Sequence, residues 1–396
     1  MSHRISKFET YRVRIPIRAP LRHSYGVHTA FERTLLRLTT EDGAVGWGET
    51  AASEQTLADF AALVVGESPF QLETLRMRIN QRGYYSRQAL VIAAVEIAYL
   101  DLQGRILGLP VSDLLGGAMR TEVPLSAYIF YAYSTNTEPP IDSPEEVVSF
   151  TKRLINNHGF SVVKLKGGVH PPEHDLDVIQ ALREALGPSV SLRLDPNATW
   201  TPETAIRIGV KLTQAGTDLE YLEDPTWGIP AMSAVRSKVN IPLATNMCVT
   251  YFDHLPPAIN QRAVDIVLSD PWYWGGLFNT KVLASITSIF GLGLGMHSGL
   301  ETGIGLSSML HVASTLPNLT HAIDSHYHHM QDDVLQGGIL TYSNGCMAVP
   351  RGPGLGVEVD MSKVQRYQVE EHQRKDGEIH HPDPWQPEWY PRYPRW

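Results

Sequence analysis

Polar side chains recur at the ends of apolar, β-branched segments in the middle and second half of the sequence. They are Lys166, Asp195, Glu223, Asn246, Asp270 and His297. Successive members are separated by close to the roughly 30 residues of one βα unit. If the segments are parallel strands of a barrel, these side chains meet at the rim formed by the carboxyl ends of the strands, where barrel enzymes carry their active sites.

Lys164 and Lys166 could supply a base. They are two apart on a predicted strand, so their side chains point the same way. Two ammonium groups held close disfavour each other's charge, which favours a lysine that accepts a proton near neutral pH. An isolated pair of this kind is usually a solvated strand edge, but here Val162 and Val163 precede it and a Gly-Gly turn follows. The pattern predicts a catalytic pair.

Three of the rim residues could bind a metal ion. Asp195, Glu223 and Asn246 would present oxygen atoms from three neighbouring strands, and such hard donors suit Mg²⁺. A single Asp at a strand end more often caps a helix, and Asn is common in turns. The succession on three strands favours a magnesium site.

His297 follows the apolar segment GLGLGM, and a lone histidine there would be interpreted as structural. Asp270, one strand earlier, could hydrogen-bond one imidazole nitrogen, orient the ring and leave the other nitrogen for a substrate. The two residues are therefore predicted to form an acid/base dyad.

The elements that must position these residues begin with an α+β domain over residues 1–120. Alternating or β-branched patterns and helical apolar spacing define its elements. Strands are predicted at residues 4–18 and 33–49, and helices at residues 56–66 and 87–108. Asp42 and Gly43 provide a turn signal between strands.

From residue 121 to residue 354, short β-branched segments alternate with helical stretches, which predicts an α/β domain with a parallel sheet. The predicted strands are VPLSAYIF, SVVKLK, VSLRLD, LEYLED, IPLATN, VDIVLSD, LGLGMH and LTHAID. This number favours a β/α barrel over a doubly wound sheet, although periodicity alone leaves the second open. The tail from Gly377 is rich in proline and aromatic residues, and we expect its Arg392 and Arg395 to serve packing or subunit contacts.

Composition restricts the class of protein. The 396 residues are 43% hydrophobic and carry a formal net charge of −9 without a basic block, which argues against nucleic-acid binding. The sequence contains no apolar run that predicts a membrane span and no signal-peptide pattern, so we expect a cytoplasmic protein. Two cysteines, Cys248 and Cys346, fit a reducing compartment. We also expect a homo-oligomer.

The sequence resembles the enolase superfamily and, within it, glucarate dehydratase in the motifs VVKLKGG, LRLDPNATW, YLEDPT, PLATNM, LSDPWYW and MHSG. The resemblance covers most of residues 20–365. It includes GWGE at 46–49, AYIFYAY at 127–133, AIDSHY at 322–327 and PGLGVEVDM at 353–361. It implies a modified (β/α)8-type barrel, (β/α)7β, with an N-terminal α+β capping domain that is joined by a C-terminal segment of about residues 355–396.

By this resemblance, Lys166 is the base on one face of an acid-sugar substrate, and Lys164 adjusts it and contacts the substrate carboxylate. His297, paired with Asp270, acts on the other face. Mg²⁺ on the three predicted ligands would bind the carboxylate and stabilise the enediolate that forms when the carbon α to it loses a proton. The β-hydroxyl would leave as water, with His297 as general acid, to give a 2-keto-3-deoxy acid.

The resemblance also implies substrate contacts. His28 lies in the loop that closes over the substrate, and His23 stands where an Asn is expected. His326, on the eighth strand, is a candidate contact for a hydroxyl. Asn197 points to the same face as the first metal ligand and supports the site, unless it is an ordinary loop residue. Tyr128 on the first strand either reaches a substrate hydroxyl or packs inside the barrel.

The sequence departs from the family after His297, where it reads SGLETG and glucarate dehydratase has Asn-Asn-His. A carboxylate of Glu301 in the pocket would repel a second substrate carboxylate, which makes an aldonate such as L-lyxonate at least as good a candidate as an aldarate. Alternatively, Glu301 caps the following helix. Two other functions remain open: a racemase or epimerase that exchanges a proton without eliminating water, and a noncatalytic sugar-acid binding protein.

Overall fold

A computed structural model describes residues 3–83, 86–369 and 382–396. Its N-terminal part, here called the cap, is an antiparallel sheet packed against helices. The elements of the cap are β1 (Ile5–His23), β2 (Gly26–Thr40), β3 (Val45–Thr50), α1 (Glu54–Ala58), α2 (Ala61–Val64), α3 (Leu72–Arg82), α4 (Ala89–Leu107) and α5 (Val111–Leu114).

The sheet of the cap follows from the alternation of apolar and polar residues. Val13, Ile15 and Ile17 of β1 are buried, which is the pattern of a strand with one face on the core. β2 pairs with β1 and with β3, both in antiparallel register. The predicted strands are therefore confirmed, and the predicted turn at Asp42 and Gly43 joins β2 to β3.

The helices of the cap differ from the prediction in two places. Residues 56–66 contain the end of α1 and the whole of α2 rather than one helix. The chain turns after Leu57, whose carbonyl accepts from Phe60 N three residues on. Helix α3 was not predicted, although Leu72 and Leu75 are buried at helical spacing.

Helix α4 is buried over most of its surface because it lies between the sheet of the cap and the second domain. It is apolar on nearly every side, as expected for a helix covered all round. Glycines on β3 allow its close approach, and a Cβ at Gly48 would overlap the carbonyl oxygen of Ala94. The helix ends at Gly108 in the left-handed conformation, with φ at 73°.

The second domain is a β/α barrel. Its strands and the short strands beside them are β4 (Glu122–Pro124), β5 (Ala127–Ala132), β6 (Val162–Lys166), β7 (Ser191–Asp195), β8 (Tyr221–Glu223), β9 (Leu243–Thr245), β10 (Ile266–Ser269), β11 (Gly293–Met296) and β12 (Cys346–Ala348). Its helices, and a last helix beyond β12, are α6 (Pro144–His158), α7 (Pro172–Leu186), α8 (Pro202–Gln214), α9 (Ile229–Arg236), α10 (Leu255–Asn260), α11 (Pro271–Trp274), α12 (Leu277–Ile289), α13 (Gly303–Ser314) and α14 (Met361–Tyr367). β5 to β11 are neighbours in chain order and pair in parallel, so their carboxyl ends share one rim.

The barrel is closed by an irregular segment. LTHAID was predicted as the eighth strand, but within it the structure has only a single parallel bridge, between Leu125 and Ile323. Asp324 N donates to Met296 O on the β11 side, and Ser126 N donates to Ile323 O on the other side. The segment therefore closes the gap between β11 and the start of β5 without forming a regular ladder of backbone hydrogen bonds. The prediction of a modified barrel with an N-terminal capping domain is confirmed, and the full eighth strand is not.

Main-chain hydrogen bonds join the cap to the barrel in several places. β1 pairs with β5 through Leu21 and Ala132, so the sheet of the cap continues into the barrel sheet. The chain returns to the cap after β12, where Val111 N donates to Gly354 O and Val369 N donates to Arg12 O. The domain limits at residues 120 and 354 stay predictions. Within the described residues, no helix combines the length and apolarity needed to cross a bilayer.

Gly48→Ala should lower the free energy of unfolding by about 1–3 kcal/mol, because the added methyl group forces α4 away from β3. Urea unfolding followed by circular dichroism measures the change. Gly337→Ala is the matched control, since a Cβ there meets no atom within 4 Å. Equal stability of the two variants would contradict the tight packing of α4.

Candidate active site

A cavity of about 1450 Å³ lies where the cap meets the carboxyl ends of the barrel strands. Three parts of the chain contribute its walls. Among the lining residues are His23, His28 and Arg33 of the cap, Tyr128, Lys166, Asn197, Asn246, Asp270, His297 and His326 of the barrel, and Tyr393 of the C-terminal segment. Most of the predicted site residues thus share one cavity.

Charged side chains form a buried cluster next to this cavity. Lys164 Nζ lies 2.5 Å from Glu223 Oε2, 2.7 Å from Asp324 Oδ2 and 3.5 Å from Asp195 Oδ2. Arg193 Nη1 donates to Asp324 Oδ1 at 3.2 Å. All five side chains are fully buried, so each charge is stabilised by its partners rather than by water.

The surroundings of Lys164 differ from the prediction. Burial acts against its charged form, but the carboxylates of Asp324 and Glu223 outweigh burial and raise the pKa of Lys164 well above its usual value. The predicted weakening of its charge by a second ammonium group is therefore wrong for Lys164. Spacing within one strand shows the two lysines but not the carboxylates that neighbouring strands bring to them.

Lys166 is the lysine that lines the cavity. Its ammonium donates to Asp195 Oδ2 at 2.7 Å and to Asn197 Oδ1 at 2.5 Å. Tyr128 packs inside the barrel between the two lysines, with its ring centroid 4.5 Å from Lys164 Nζ and 6.0 Å from Lys166 Nζ. The Tyr128 hydroxyl also donates to Asp195 Oδ2 at 3.1 Å. Asp195 is thus held by groups that surround it on several sides.

The predicted metal ligands end neighbouring strands. Asp195 and Glu223 are fully buried, and burial together with the nearby Asp195 raises the pKa of Glu223 well above its usual value. The Asn246 amide lies 3.3 Å from Glu223 Oε1 and 3.0 Å from Asp224 Oδ2, with its other terminal atom 3.0 Å from His297 Nε2. A divalent cation would offset the repulsion between these oxygens, so the donor set fits Mg²⁺.

The predicted set of metal ligands depends on the side-chain amide of Asn246. Among the described residues, no three His, Cys, Asp or Glu side chains converge in a metal-binding arrangement. The Asn246 side-chain oxygen faces the Glu223 and Asp224 carboxylates, and only an exchange of the two amide atoms would let the nitrogen donate to both. A bound cation would require the oxygen on this side, because a metal ion is coordinated by the oxygen.

The predicted dyad is assembled. His297 Nδ1 lies 2.9 Å from Asp270 Oδ2. The other oxygen of Asp270 accepts from Trp272 N at 2.9 Å and from Tyr273 N at 3.3 Å, at the start of α11. These backbone bonds fix the carboxylate, which in turn fixes the imidazole ring. Nε2 of His297 is left toward the cavity, beside Asn246.

The loops that follow β7 and β8 are strained. Asn197, Ala198 and Asp224 adopt positive φ angles of 58°, 60° and 35°, and such residues cluster at functional sites. Asp224 accepts from Thr245 Oγ1 at 2.6 Å and from Asn246 N at 2.8 Å, so it positions the loop that carries Asn246. Burial raises the pKa of Asp224 to about 7. Sequence reasoning missed this residue, although it directly follows a predicted ligand.

The hairpin between β1 and β2 brings two predicted contacts to the cavity. The rings of His23 and His28 lie 4.1 Å apart, and the Tyr25 ring lies 4.0 Å from His23. All three residues line the cavity. The tip of the hairpin therefore forms part of the wall opposite the barrel rim.

His326 lines the cavity from the segment that closes the barrel. Its ring lies 4.7 Å from the Tyr128 ring and 5.0 Å from the Phe130 ring. Nδ1 is 2.6 Å from Ser298 Oγ. Burial and the neighbouring His297 lower the pKa of His326 well below its usual value, so the imidazole is neutral.

Glu301 is buried and does not line the cavity. One carboxylate oxygen accepts from Ser298 Oγ at 2.7 Å, and the other accepts from Gly299 N. Leu300 adopts a φ of 72°, and this reversal turns the carboxylate back onto its own loop. Glu301 therefore does not present its carboxylate to the cavity, which a direct contact with substrate would require. The alternative, capping of the following helix, is absent, because Thr302 caps α13 instead.

Two residues of the cap that sequence reasoning missed act on the same loop. Glu49 accepts from Thr302 N and from Gly305 N, both at 3.0 Å, at the start of α13. Arg33 lines the cavity and places Nε 3.5 Å from Glu49 Oε1. Burial raises the pKa of Glu49 to about 7. Glu49 belongs to the GWGE motif, and its charge on an otherwise apolar strand was the available signal.

The C-terminal segment, residues 382–396, packs against the barrel rim. Arg395 N and Trp396 N donate to Thr199 O at 2.7 and 3.0 Å. The Arg395 guanidinium lies over the Trp396 ring, 4.9 Å from its centroid, and Arg392 is exposed. The packing expected for Arg395 is confirmed.

The same segment also reaches the cavity, which was not predicted. Tyr393 lines the cavity, and its hydroxyl lies 3.0 Å from Ser24 Oγ. Ser24 Oγ accepts from Asn197 Nδ2 at 2.8 Å, and Asn197 contacts Lys166. A chain of hydrogen bonds therefore connects the segment to Lys166. An irregular segment rich in proline carries no periodic signal that could have placed Tyr393.

Comparisons with known proteins show the family of the chain. Residues 6–116 match the family described as mandelate racemase / muconate lactonizing enzyme, N-terminal domain, and residues 146–363 match the family enolase C-terminal domain-like. The chain belongs to the enolase superfamily. A probable glucarate dehydratase of Streptomyces coelicolor is 40% identical over 378 residues, which cover 87% of this chain and 86% of that protein.

Two further proteins are similar over most or all of this chain. An enolase structure from Thermobispora bispora, complexed with magnesium and formate, is 38% identical with a TM-score of 0.91 and covers 100% of both chains. The L-Ala-D/L-Glu epimerase of Bacillus subtilis is 26% identical over 366 residues, or 89% of this chain and 96% of that protein. Within the superfamily, this chain is glucarate dehydratase-like.

Asp324→Asn should lower the free energy of unfolding of this superfamily member by about 3–5 kcal/mol, because Lys164 and Arg193 both lose a buried partner. Urea unfolding at pH 7 measures the loss. Glu173→Gln is the control, since Glu173 pairs with Arg207 on the surface and such pairs contribute at most about 1 kcal/mol. A loss for Asp324→Asn no larger than that of the control would refute the buried cluster.

Proposed function

We propose that the chain is a Mg²⁺-dependent acid-sugar dehydratase, which removes the proton α to the carboxylate and eliminates the β-hydroxyl to give a 2-keto-3-deoxy acid. One observation carries the proposal: Lys166 and His297 line one cavity at the two ends of the row of oxygen ligands. Lys166 contacts Asp195 at one end, and His297 lies beside Asn246 at the other. The identity to a probable glucarate dehydratase supports the reaction class.

Lys166 would accept the proton from the α-carbon. An ammonium group has no lone pair, so the contact with Asp195 must loosen and a proton must leave before Lys166 can act as a base. Asn197 accepts a hydrogen bond from the same nitrogen and keeps it directed into the cavity. A base placed in this way contributes about 10²- to 10⁴-fold to the rate.

His297 would donate a proton to the leaving hydroxyl. Because Nδ1 is hydrogen-bonded to Asp270, Nε2 is the nitrogen that can contact a substrate in the cavity. The carboxylate of Asp270 also stabilises the imidazolium form that carries the proton to be donated. The two groups together remove a proton and a hydroxyl from adjacent carbons.

Asp195, Glu223 and Asn246 are the residues that would hold Mg²⁺. The ion would act there as a Lewis acid on the substrate carboxylate. The magnesium in the enolase structure from Thermobispora bispora supports Mg²⁺ as the ion.

The substrate would be an aldonate, for example L-lyxonate, or an aldarate. Because Glu301 does not line the cavity, direct repulsion of a second carboxylate no longer favours the aldonate. Arg33 and His28 do line the cavity, and either could meet a distal polar group of a five- or six-carbon acid. Both classes therefore belong in the test.

A second candidate function is epimerisation of a hydroxy acid. Two proton-transfer groups at opposite ends of one ligand row can exchange a proton without eliminating water, and a 26% identical relative is an epimerase. A proton donor such as His297 is compatible with both reactions, so analysis of the products must separate them.

Incubation with Mg²⁺ and a panel of aldonic and aldaric acids should form a 2-keto-3-deoxy acid from at least one member. The readout is the semicarbazide derivative of the keto acid. EDTA should abolish its formation, and added Mg²⁺ should restore it. If deuterium from the solvent enters the recovered substrate and no keto acid forms, the dehydratase is rejected and the epimerase is favoured.

Lys166→Met and His297→Asn should each reduce turnover of the substrate so identified by about 10²- to 10⁴-fold, since each removes one proton-transfer group. Lys211→Met is the matched control, because Lys211 lies on the barrel exterior with its side chain 46% exposed. Circular dichroism verifies folding of all three variants. Full activity of a correctly folded Lys166→Met variant would disprove its role as the base.

A further inference from the structure

We propose that Glu301 sets the hydrogen-bonding polarity of His326 through Ser298, so that His326 accepts a hydrogen bond from a substrate hydroxyl and disfavours a carboxylate at that position. The identity of the ligand as an acid sugar rests on the proposed function. The arrangement of protons in Glu301, Ser298 and His326 does not, because it is a property of the protein alone.

Ser298 Oγ has three partners. It lies 2.7 Å from Glu301 Oε2 and 2.6 Å from His326 Nδ1, and it accepts from His326 N at 3.2 Å. A serine hydroxyl has one proton to donate and two lone pairs that accept. Its proton can therefore serve either Glu301 or His326 but not both.

The carboxylate of Glu301 decides between them, because it can only accept. Its other oxygen accepts from Gly299 N. Burial raises the pKa of Glu301, whereas the positive charge of Arg33 and the hydrogen bonds from Ser298 and Gly299 favour the ionised form that accepts here. Ser298 thus donates to Glu301, and His326 must carry its proton on Nδ1 to donate to Ser298. All the bonding capacity of Ser298 Oγ is then used.

The position of the proton on His326 decides what its Nε2 atom can bind in the cavity. With the proton on Nδ1, Nε2 of the neutral His326 carries a lone pair and can only accept. The rings of Tyr128, Phe130 and Phe31 enclose the imidazole, so it cannot turn to offer its other nitrogen. A substrate hydroxyl can donate to Nε2, whereas a carboxylate oxygen would face a second acceptor. Glu301 thus acts on specificity from outside the cavity.

Glu301→Gln should reverse this polarity. Gly299 N needs an acceptor, which directs the Gln oxygen to it and the Gln NH₂ group to Ser298. Ser298 would then donate to His326 Nδ1, and the imidazole proton would move to Nε2. Ser298→Ala removes the link altogether, and Ser298→Thr keeps the hydroxyl as the conservative control.

The test is ¹⁵N NMR of histidine-labelled protein at pH 8, with the His326 signal assigned by its absence in His326→Gln. We expect the Nδ1–H tautomer in the unmodified protein and in Ser298→Thr, and the Nε2–H tautomer in Glu301→Gln. An Nε2–H tautomer in the unmodified protein, or no change in Glu301→Gln, overturns the proposal. If Glu301→Gln does not fold, loss of the Nδ1–H tautomer in Ser298→Ala decides in its place.

A kinetic readout connects the tautomer to the substrate. With the acid identified by the panel, Glu301→Gln should raise KM by about tenfold or more, the effect of one unfavourable polar contact, with a smaller change in kcat. Ser298→Thr, which keeps the hydroxyl, should leave KM close to that of the unmodified protein. An unchanged KM despite a changed tautomer would remove His326 from substrate recognition. Absence of keto acid from every panel member would reject the proposed function while leaving the NMR result intact.

Discussion

The ion pair of Lys164 with Asp324, beside Glu223, places charged groups where water cannot reach them. Such groups are tolerated only with their partners, and the partners come from different strands. A slip of one residue in any strand would turn its side chains to the other face of the sheet and leave buried charges unpaired. The same register that pairs these charges brings Lys166 and Asn246 to the cavity. Stability and chemistry therefore depend on one set of strand alignments.

The site divides its tasks between rigid and irregular parts of the chain. Strand ends supply the lysines, the oxygen ligands and the dyad, so these groups are held by the barrel itself. The walls come from the β1–β2 hairpin, the loop after β11 and the C-terminal segment, which are the parts that differ most readily between relatives. Glu49 connects the two, since a residue of the cap holds the start of α13 and hence the loop that carries Ser298.

The sequence was sufficient for features that depend on local patterns. The interval of one βα unit placed Lys166, Asp195 and His297 on a common rim, because strand direction repeats with the unit. The sequence was insufficient where a distant part of the chain or one backbone angle decides the outcome. The positive φ of Leu300 turns Glu301 away from the cavity, and Tyr393 arrives from a segment without periodicity. Asp324 is the last residue of the predicted eighth strand. The sequence did not single it out, because its partners Lys164 and Arg193 lie on other strands.

The return of the chain to the cap has a consequence for synthesis on the ribosome. β1 is synthesised well before its partner segment, because Arg12 bonds to Val369, and Val111 likewise bonds to Gly354, which is made later. At about 5–20 residues per second, a delay of roughly 10–70 s separates the emergence of these partners. During that time the nascent cap exposes backbone groups that the finished protein pairs. Translation speed and chaperone binding in this interval should therefore influence how much of the protein reaches the native state.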